Sequence, residues 1–268
     1  IDKLREKCED PAFVGEIQGN GVQGKDCLKN IHFKEDHNGL LKIWKKPVTK
    51  IKVSNRYLVI VDVGGRSKSA DYSDILVIDR FWMIYGGKPE VVAEWHGHID
   101  HDLLAWKSAQ IAKYYNDAYL VIESNTIETK DNDTDGDQSE LIFNKLADCY
   151  DNIYIRKASE AKIAKGILNE YGFHTNRKTK PLIISNMVAC LRDELYIERN
   201  ILALDEMGTY EKKQNGSYGA TDGNHDDMVM VRAIGLYICL CEMDMPKIIQ
   251  ENPKNKFAKT NKITEASI

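Results

Sequence analysis

Apolar and polar positions along the chain fall into two rhythms, and the switches between them lay out the elements. Residues 57–63, YLVIVDV, form a run of the kind that a strand buried on both faces carries. A second strand is predicted over 74–85, a turn at Gly86 and Gly87, and a third strand over 90–99; connections this short imply an antiparallel meander. The period then changes. Leu103, Leu104, Trp106, Ile111, Ala112 and Tyr115 recur at helical spacing, and AYLVIE, 118–123, follows as a fourth strand. A helix between strands implies a crossover, which lays the fourth strand parallel to the first and makes neighbours of Asp62 and Glu123.

A helix over 139–150 and a strand over 152–156 repeat the unit. Three antiparallel strands followed by αβαβ is the order of a ribonuclease H-like α/β fold, a mixed sheet flanked by helices. The later part is helix-rich: 159–171, then 181–193 with Pro181 in its first turn, then 200–207. Asn215-Gly216 between polar arms predicts a hairpin over 211–220, and 226–241 is a helix apolar nearly all round apart from Arg232, suited to burial against the sheet. Residues 1–49 show no sustained period and read as a linker or the trailing part of a missing upstream domain, closed by a short edge strand in GLLKIWKKP. The expected layout is this segment, one α/β domain over 50–245, and a polar, basic, loosely ordered tail over 246–268.

Composition narrows the class. At 268 residues, 43% apolar and 29% charged, the chain can bury a core of its own, and no run approaches the roughly 18 apolar residues of a membrane span. The opening IDKLREKCED has neither a methionine nor the pattern of a signal peptide, so a fragment of a longer protein is expected. Six scattered cysteines lack the spacing of a zinc site and read as reduced thiols. A net charge of -4 argues against adhesion of the whole surface to nucleic acid. One stretch departs from that balance: Arg156, Lys157, Lys162, Lys165, Arg177, Lys178 and Lys180 stand against Glu160 and Glu170, a set that could seat a phosphate backbone or simply form a solvated face. There is no GxxxxGK[ST] phosphate loop and no GxSxG elbow, so neither P-loop ATP hydrolysis nor serine nucleophilic catalysis has sequence support.

The candidate chemistry lies in carboxylates at the ends of apolar elements. Asp62 closes the first strand, Glu123 closes the fourth, and Asp226 and Asp227 precede the last apolar helix, where the helix dipole favours negative charge. An oxygen-only set suits hard divalent cations such as magnesium or manganese. His225, just before the aspartates, could order a substrate phosphate or hydrogen-bond a ligating carboxylate, or have no chemical role. His96, His98 and His101 lack a completing ligand and are expected at the surface. The loop 131–137, DNDTDGD, starts like an EF-hand but has Ile142 at the closing acid, and reads as a solvated acidic loop.

VDVGG with DYSD, then LVIESNT, YGFHTN, TKPLII and YGATDGNHDDMVMVRAIGLY together resemble the C-terminal nuclease domain of the large terminase subunit of tailed bacteriophages, over about residues 40–242. The resemblance implies a ribonuclease H-fold endonuclease that cuts concatemeric viral DNA during packaging with two divalent cations, Mg2+ or Mn2+. It implies metal ligation by Asp62, Glu123 and the pair Asp226 and Asp227, with Asp227 the preferred one, an auxiliary acid at Asp71, and Asp74 as a weaker candidate. It further implies double-stranded DNA, an upstream ATPase domain, the portal and the small terminase subunit as partners, no membrane, and the cytoplasm of an infected bacterium as the setting. A junction resolvase of the same fold, or a non-catalytic module docking the motor on DNA or portal, are the alternatives.

Overall fold

The computed structural model describes residues 1–64, 72–124, 138–147, 149–158, 160–164, 166 and 169–249. Asp71, Lys165 and the loop 131–137 lie outside the described residues, as does the tail from 250 onward. After the short helix α1 (Asp2–Arg5) come strands β1 (Phe13–Gln18), β2 (His32–Glu35) and β3 (Leu41–Ile43), then β4 (Tyr57–Asp62), β5 (Ser73–Asp79) and β6 (Glu90–Gly97). Helix α2 (His101–Tyr114) leads to β7 (Tyr119–Ile122) and helix α3 (Gln138–Leu146). β8 (Ile155–Lys157), α4 (Glu160–Ile163) and β9 (Asn169–Tyr171) precede the helices α5 (Thr179–Arg192) and α6 (Ile201–Gly208), the hairpin β10 (Tyr210–Lys212) and β11 (Tyr218–Ala220), and α7 (Asp227–Tyr237).

Strands β1 to β7 form one sheet in the order β2-β1-β3-β6-β5-β4-β7. The meander β4-β5-β6 is antiparallel, and β7 joins β4 in parallel with Val61 opposite Ile122. The apolar run at Tyr57 follows from its place in this sheet. Tyr57, Val59 and Val61 pack beneath α2, whereas Leu58 and Ile60 pack on the opposite face with α5, α6 and α7. A strand covered on both sides has no position left for a solvated side chain until its end. Asp62 stands at that end, on the face of α7.

Three expectations are corrected. The stretch 1–49, expected as linker, supplies three strands of the sheet; β3 is an interior strand between β1 and β6, with Leu41 opposite Trp95. Its strands are only three to six residues long and gain their order from pairing, which leaves little period to read. The strand expected over 74–85 stops at Asp79, whose Oδ1 accepts a bond of 2.8 Å from the Phe81 amide while Arg56 binds the same carboxylate. Such a side-chain bond turns the backbone out of the ladder into the 3-10 turn Phe81–Tyr85. The helix expected over 159–171 is one turn, α4; Gly166 takes a left-handed φ of 85°, and β9 then pairs with β8. The helix expected over 226–241 is present as α7, with Asp226 as its N-cap residue, and it continues from Ile238 to Glu242 as a π-helical turn.

Candidate functional site

The register places a row of polar side chains across the sheet on the α7 side. Asp62 lies directly opposite Asp74, and Asp74 directly opposite His96. On the other flank the Glu123 amide donates to the Val61 carbonyl at 2.9 Å, so Glu123 sits beside Asp62, one residue beyond β7. Facing residues of paired strands share a face, so Glu123, Asp62, Asp74 and His96 stand side by side. Leu58, Ile60, Leu76 and Val121, the alternate positions of the same strands, face the α7 core.

Helix α7 brings the next acid over this row. Asp227 is buried in its first turn, and its Oδ2 accepts a 3.2 Å bond from the Tyr72 amide just before β5. Glu206 of α6 accepts the Met228 amide at 3.0 Å and so takes up one of the free donors at the helix start. The depth of the helix is set by Gly235: a Cβ there would lie 2.8 Å from Cδ1 of Ile60 and 3.0 Å from Cδ1 of Ile78. Asp226 points elsewhere, half-buried, with Lys180 Nζ at 3.8 Å. The two adjacent aspartates therefore face different surroundings, Asp227 the acid row and Asp226 the basic start of α5.

Crowding of carboxylates dominates the electrostatics. Burial pushes the Asp62 carboxyl well above its usual range, the neighbouring charge of Glu123 and a hydrogen bond shared with it add to this, and Asp227 and Asp74 contribute after them. Burial likewise pushes Asp74 well up, helped by the charge of Glu94 and a bond shared with it and opposed by Arg232. Below them lies a compensated layer. Arg232, fully buried on α7, meets Glu94 at 2.6 Å and Glu198 at 2.7 Å, while Asn200 Nδ2 donates to Glu94 at 2.6 Å. Burial alone would raise Glu94, yet the charge and hydrogen bonds of Arg232, with the bond from Asn200, lower it below its usual value.

The histidines take specific places. His96 Nδ1 lies 3.1 Å from Asp74 Oδ2, and burial lowers the ring's pKa, leaving it neutral at pH 7. Tyr72 stacks between His96 and His98 at 4.5 and 4.1 Å, and its ring meets His225 edge-on at 5.3 Å; His225 Nδ1 lies 3.9 Å from Asp227. His101, expected at the surface, is instead fully buried, and its Nε2 donates to the Gly64 carbonyl at 2.9 Å. It anchors the backbone two residues past Asp62, a role that the residue order alone does not disclose.

The basic residues divide. Arg156 is half-buried and donates to the carbonyls of Tyr171 and Gly172 and to the Ser124 hydroxyl, bracing the segment after Glu123 rather than facing solvent. Arg177 and Lys178 are exposed at the start of α5, Lys157 is exposed on β8, and Lys162 lies on α4. Tyr72, Asp74, Glu94, Glu206 and His96 join the site through strand register and helix docking. Only DYSD close behind the first acid hinted at any of them.

The donor set is the one hard divalent cations take: carboxylate oxygens from Asp62, Glu123 and Asp227 around a shared, acid-rich face. Two of these carboxyls already meet through a shared hydrogen bond. Among the described residues no three His, Cys, Asp or Glu side chains are gathered tightly enough to hold an ion as they stand. The fit is therefore one of chemistry and neighbourhood, and it needs side-chain rotation to close.

No protein-family model matches the chain, and neither does any curated protein. Among solved structures, the large terminase nuclease from thermophilic phage G20c with bound magnesium superposes with a TM-score of 0.50 at 18% identity, covering 75% of this chain and 88% of that one. The same nuclease with bound cobalt gives 0.47 at 17% identity, covering 75% and 88%, and the Thermus phage P74-26 large terminase nuclease domain gives 0.45 at 17%, covering 75% and 86%. The first of these likenesses establishes the fold. It is a mixed sheet flanked by helices, the fold of that terminase nuclease.

Proposed function

We propose that the chain is a metal-dependent endonuclease that hydrolyses phosphodiester bonds of double-stranded DNA, in the role of a phage large terminase nuclease cutting concatemers during genome packaging. The observation that carries this reading is the parallel pairing of β4 with β7, which sets Asp62 beside Glu123 under the start of α7, where Asp227 sits. The likeness to a terminase nuclease solved with magnesium supports it. Asp62, Glu123 and Asp227 would hold the divalent cations, with Asp74 and Asp226 at the margins; Asp71 lies outside the described residues. Magnesium or manganese, when bound, supplies Lewis acidity that lowers the pKa of an attacking water and offsets charge on a departing 3′ oxygen.

The chain's own contributions are positional. Burial and the neighbouring carboxylates favour the protonated form of Asp62, and a cation competes with that proton, so binding tightens as pH rises. The Tyr72 amide keeps Asp227 turned toward the sheet, and the Arg232 layer keeps Glu94 ionised close to Asp74 without leaving a bare buried charge. Duplex DNA, an upstream ATPase, the portal and the small subunit are the partners this role requires, and the infected cell's cytoplasm is its setting. No helix among the described residues is long and apolar enough to cross a membrane.

Plasmid cleavage in manganese, magnesium or EDTA, run beside Asp62→Asn, tests the reading. Manganese-dependent nicking or linearisation that the variant loses is the expected result. A folded Asp62→Asn that still cuts would remove Asp62 from the centre, and an inert parent that binds no manganese in calorimetry would favour a docking module.

A further inference from the structure

The acid row ends against a cluster of rings. Ser73 faces Gly97 and Asp74 faces His96, so one step back along the same two strands Tyr72 comes opposite His98. Positions two apart in a strand share a face, which sets Tyr72 and His98 beside Asp74 and His96 on the α7 side of the sheet. The Tyr72 ring lies close to parallel with both imidazoles, 4.1 Å from His98 with 23° between the planes and 4.5 Å from His96 with 29°. It meets His225 at 5.3 Å and 78°, and His225 stands two residues before Asp227 in the segment that enters α7. One side chain therefore joins the end of β6 to the start of α7.

These contacts are made by rings, not by polar atoms. The Tyr72 hydroxyl makes no hydrogen bond among the described residues, and neither does the buried Nδ1 of His98. The polar work is done by the backbone on either side. The Tyr72 amide donates to Asp227 Oδ2 at 3.2 Å, and Ser73 Oγ accepts the Gly64 amide, two residues past Asp62, at 3.1 Å. A backbone amide is only as well placed as the residue that carries it. A ring held between two others and met edge-on by a third cannot shift without losing several contacts together, so the cluster fixes where that amide points.

We propose that Tyr72 is a positioning residue for the candidate metal centre. Its ring, clasped by His96 and His98, holds the amide that orients Asp227, and so sets how tightly a divalent cation is bound. The proposal rests on the nuclease reading in taking Asp227 as a ligand, and adds to it the side chain on which the orientation of that ligand depends.

The test reads cation binding and backbone order, not cleavage. The whole chain is titrated with manganese alone by calorimetry, exchange of the residue-72 amide hydrogen is followed by NMR in EDTA, and folding of each variant is checked by circular dichroism. Tyr72→Ala is expected to weaken manganese binding about tenfold, the usual size for loss of a group that orients a ligand, and to speed exchange of that amide. Tyr72→Phe keeps the ring and should match the parent in both. His98→Ala should fall between them, and His98→Phe should restore the parent's values. Trp82→Ala removes a ring packed on Phe81 and Tyr85 at the other end of the meander, and should change neither. A folded Tyr72→Ala with the parent's affinity would overturn the proposal, as would an equal loss from Tyr72→Phe or from Trp82→Ala. A parent that binds no manganese would count against the nuclease reading instead. The hold on residue 72 would then be judged by exchange in EDTA, and a Tyr72→Ala amide exchanging no faster than the parent's would overturn it.

Discussion

Asp62 bears a cost that the rest of the molecule has to carry. Its carboxyl is raised by burial and by the Glu123, Asp227 and Asp74 charges, so the folded chain keeps a proton that the unfolded chain releases near pH 4. Where the native state binds more protons, stability falls as pH rises. The penalty is absent below the unfolded value, grows up to the raised one and then stays in full. Asp62→Asn has no charge to bury, so in EDTA its melting temperature should exceed the parent's at pH 7.5, and the gap should close as pH falls toward 4. Calorimetric scans across that range check the sign, and a variant less stable than the parent at pH 7.5 contradicts it. Asp62 and Glu123 could be picked out from the sequence because a carboxylate at the end of an apolar run is an anomaly. Asp74 stood only as a weaker candidate and His96 only as a surface histidine, because what singles them out is standing opposite Asp62 and then each other, and register is not written in spacing.

At the scale of elements, α7 is the part whose position matters most, and Gly235 sets how closely it lies on β4 and β5. Gly235→Leu would force its side chain into Ile60 and Ile78. Overpacking of this kind costs about 1–3 kcal/mol, and lifting the helix also draws Asp227 from the acid row. Urea unfolding should report the stability loss. Manganese affinity should fall by more than in Leu182→Gln, an exposed position on α5; equal affinities would show that helix depth does not govern the site. The long apolar helix was legible because it is apolar nearly all round, whereas β9 was hidden inside what read as a helix. A three-residue strand ordered by its partner leaves little periodic trace.

For the whole molecule, the first 44 residues supply three strands of the sheet. Leu41 and Ile43 are fully buried, Trp44 nearly so, and β3 covers the edge that β6 would otherwise present. A chain started at Thr49 should expose that edge and part of the α2-side core, and so aggregate on expression, an outcome read by size exclusion and circular dichroism. Recovery of a monomeric, folded truncation would show this segment to be dispensable. The meander and crossover were legible in the sequence because their strands are continuous apolar runs buried on both faces; the three N-terminal strands were not, because they are short and partly solvent-facing.

The hydrogen bond from the Tyr72 amide to Asp227 spans 155 positions of the chain. Protein synthesis delivers those ends at different times. When β4 and β5 leave the ribosome, more than half of the chain that completes their site is still to be made, and the acid that docks on them arrives with nearly the last helix. A nascent or truncated product ending before Asp226 can build most of the sheet yet lacks Asp227, so an unfinished copy is without the set of acids on which the proposed cleavage rests.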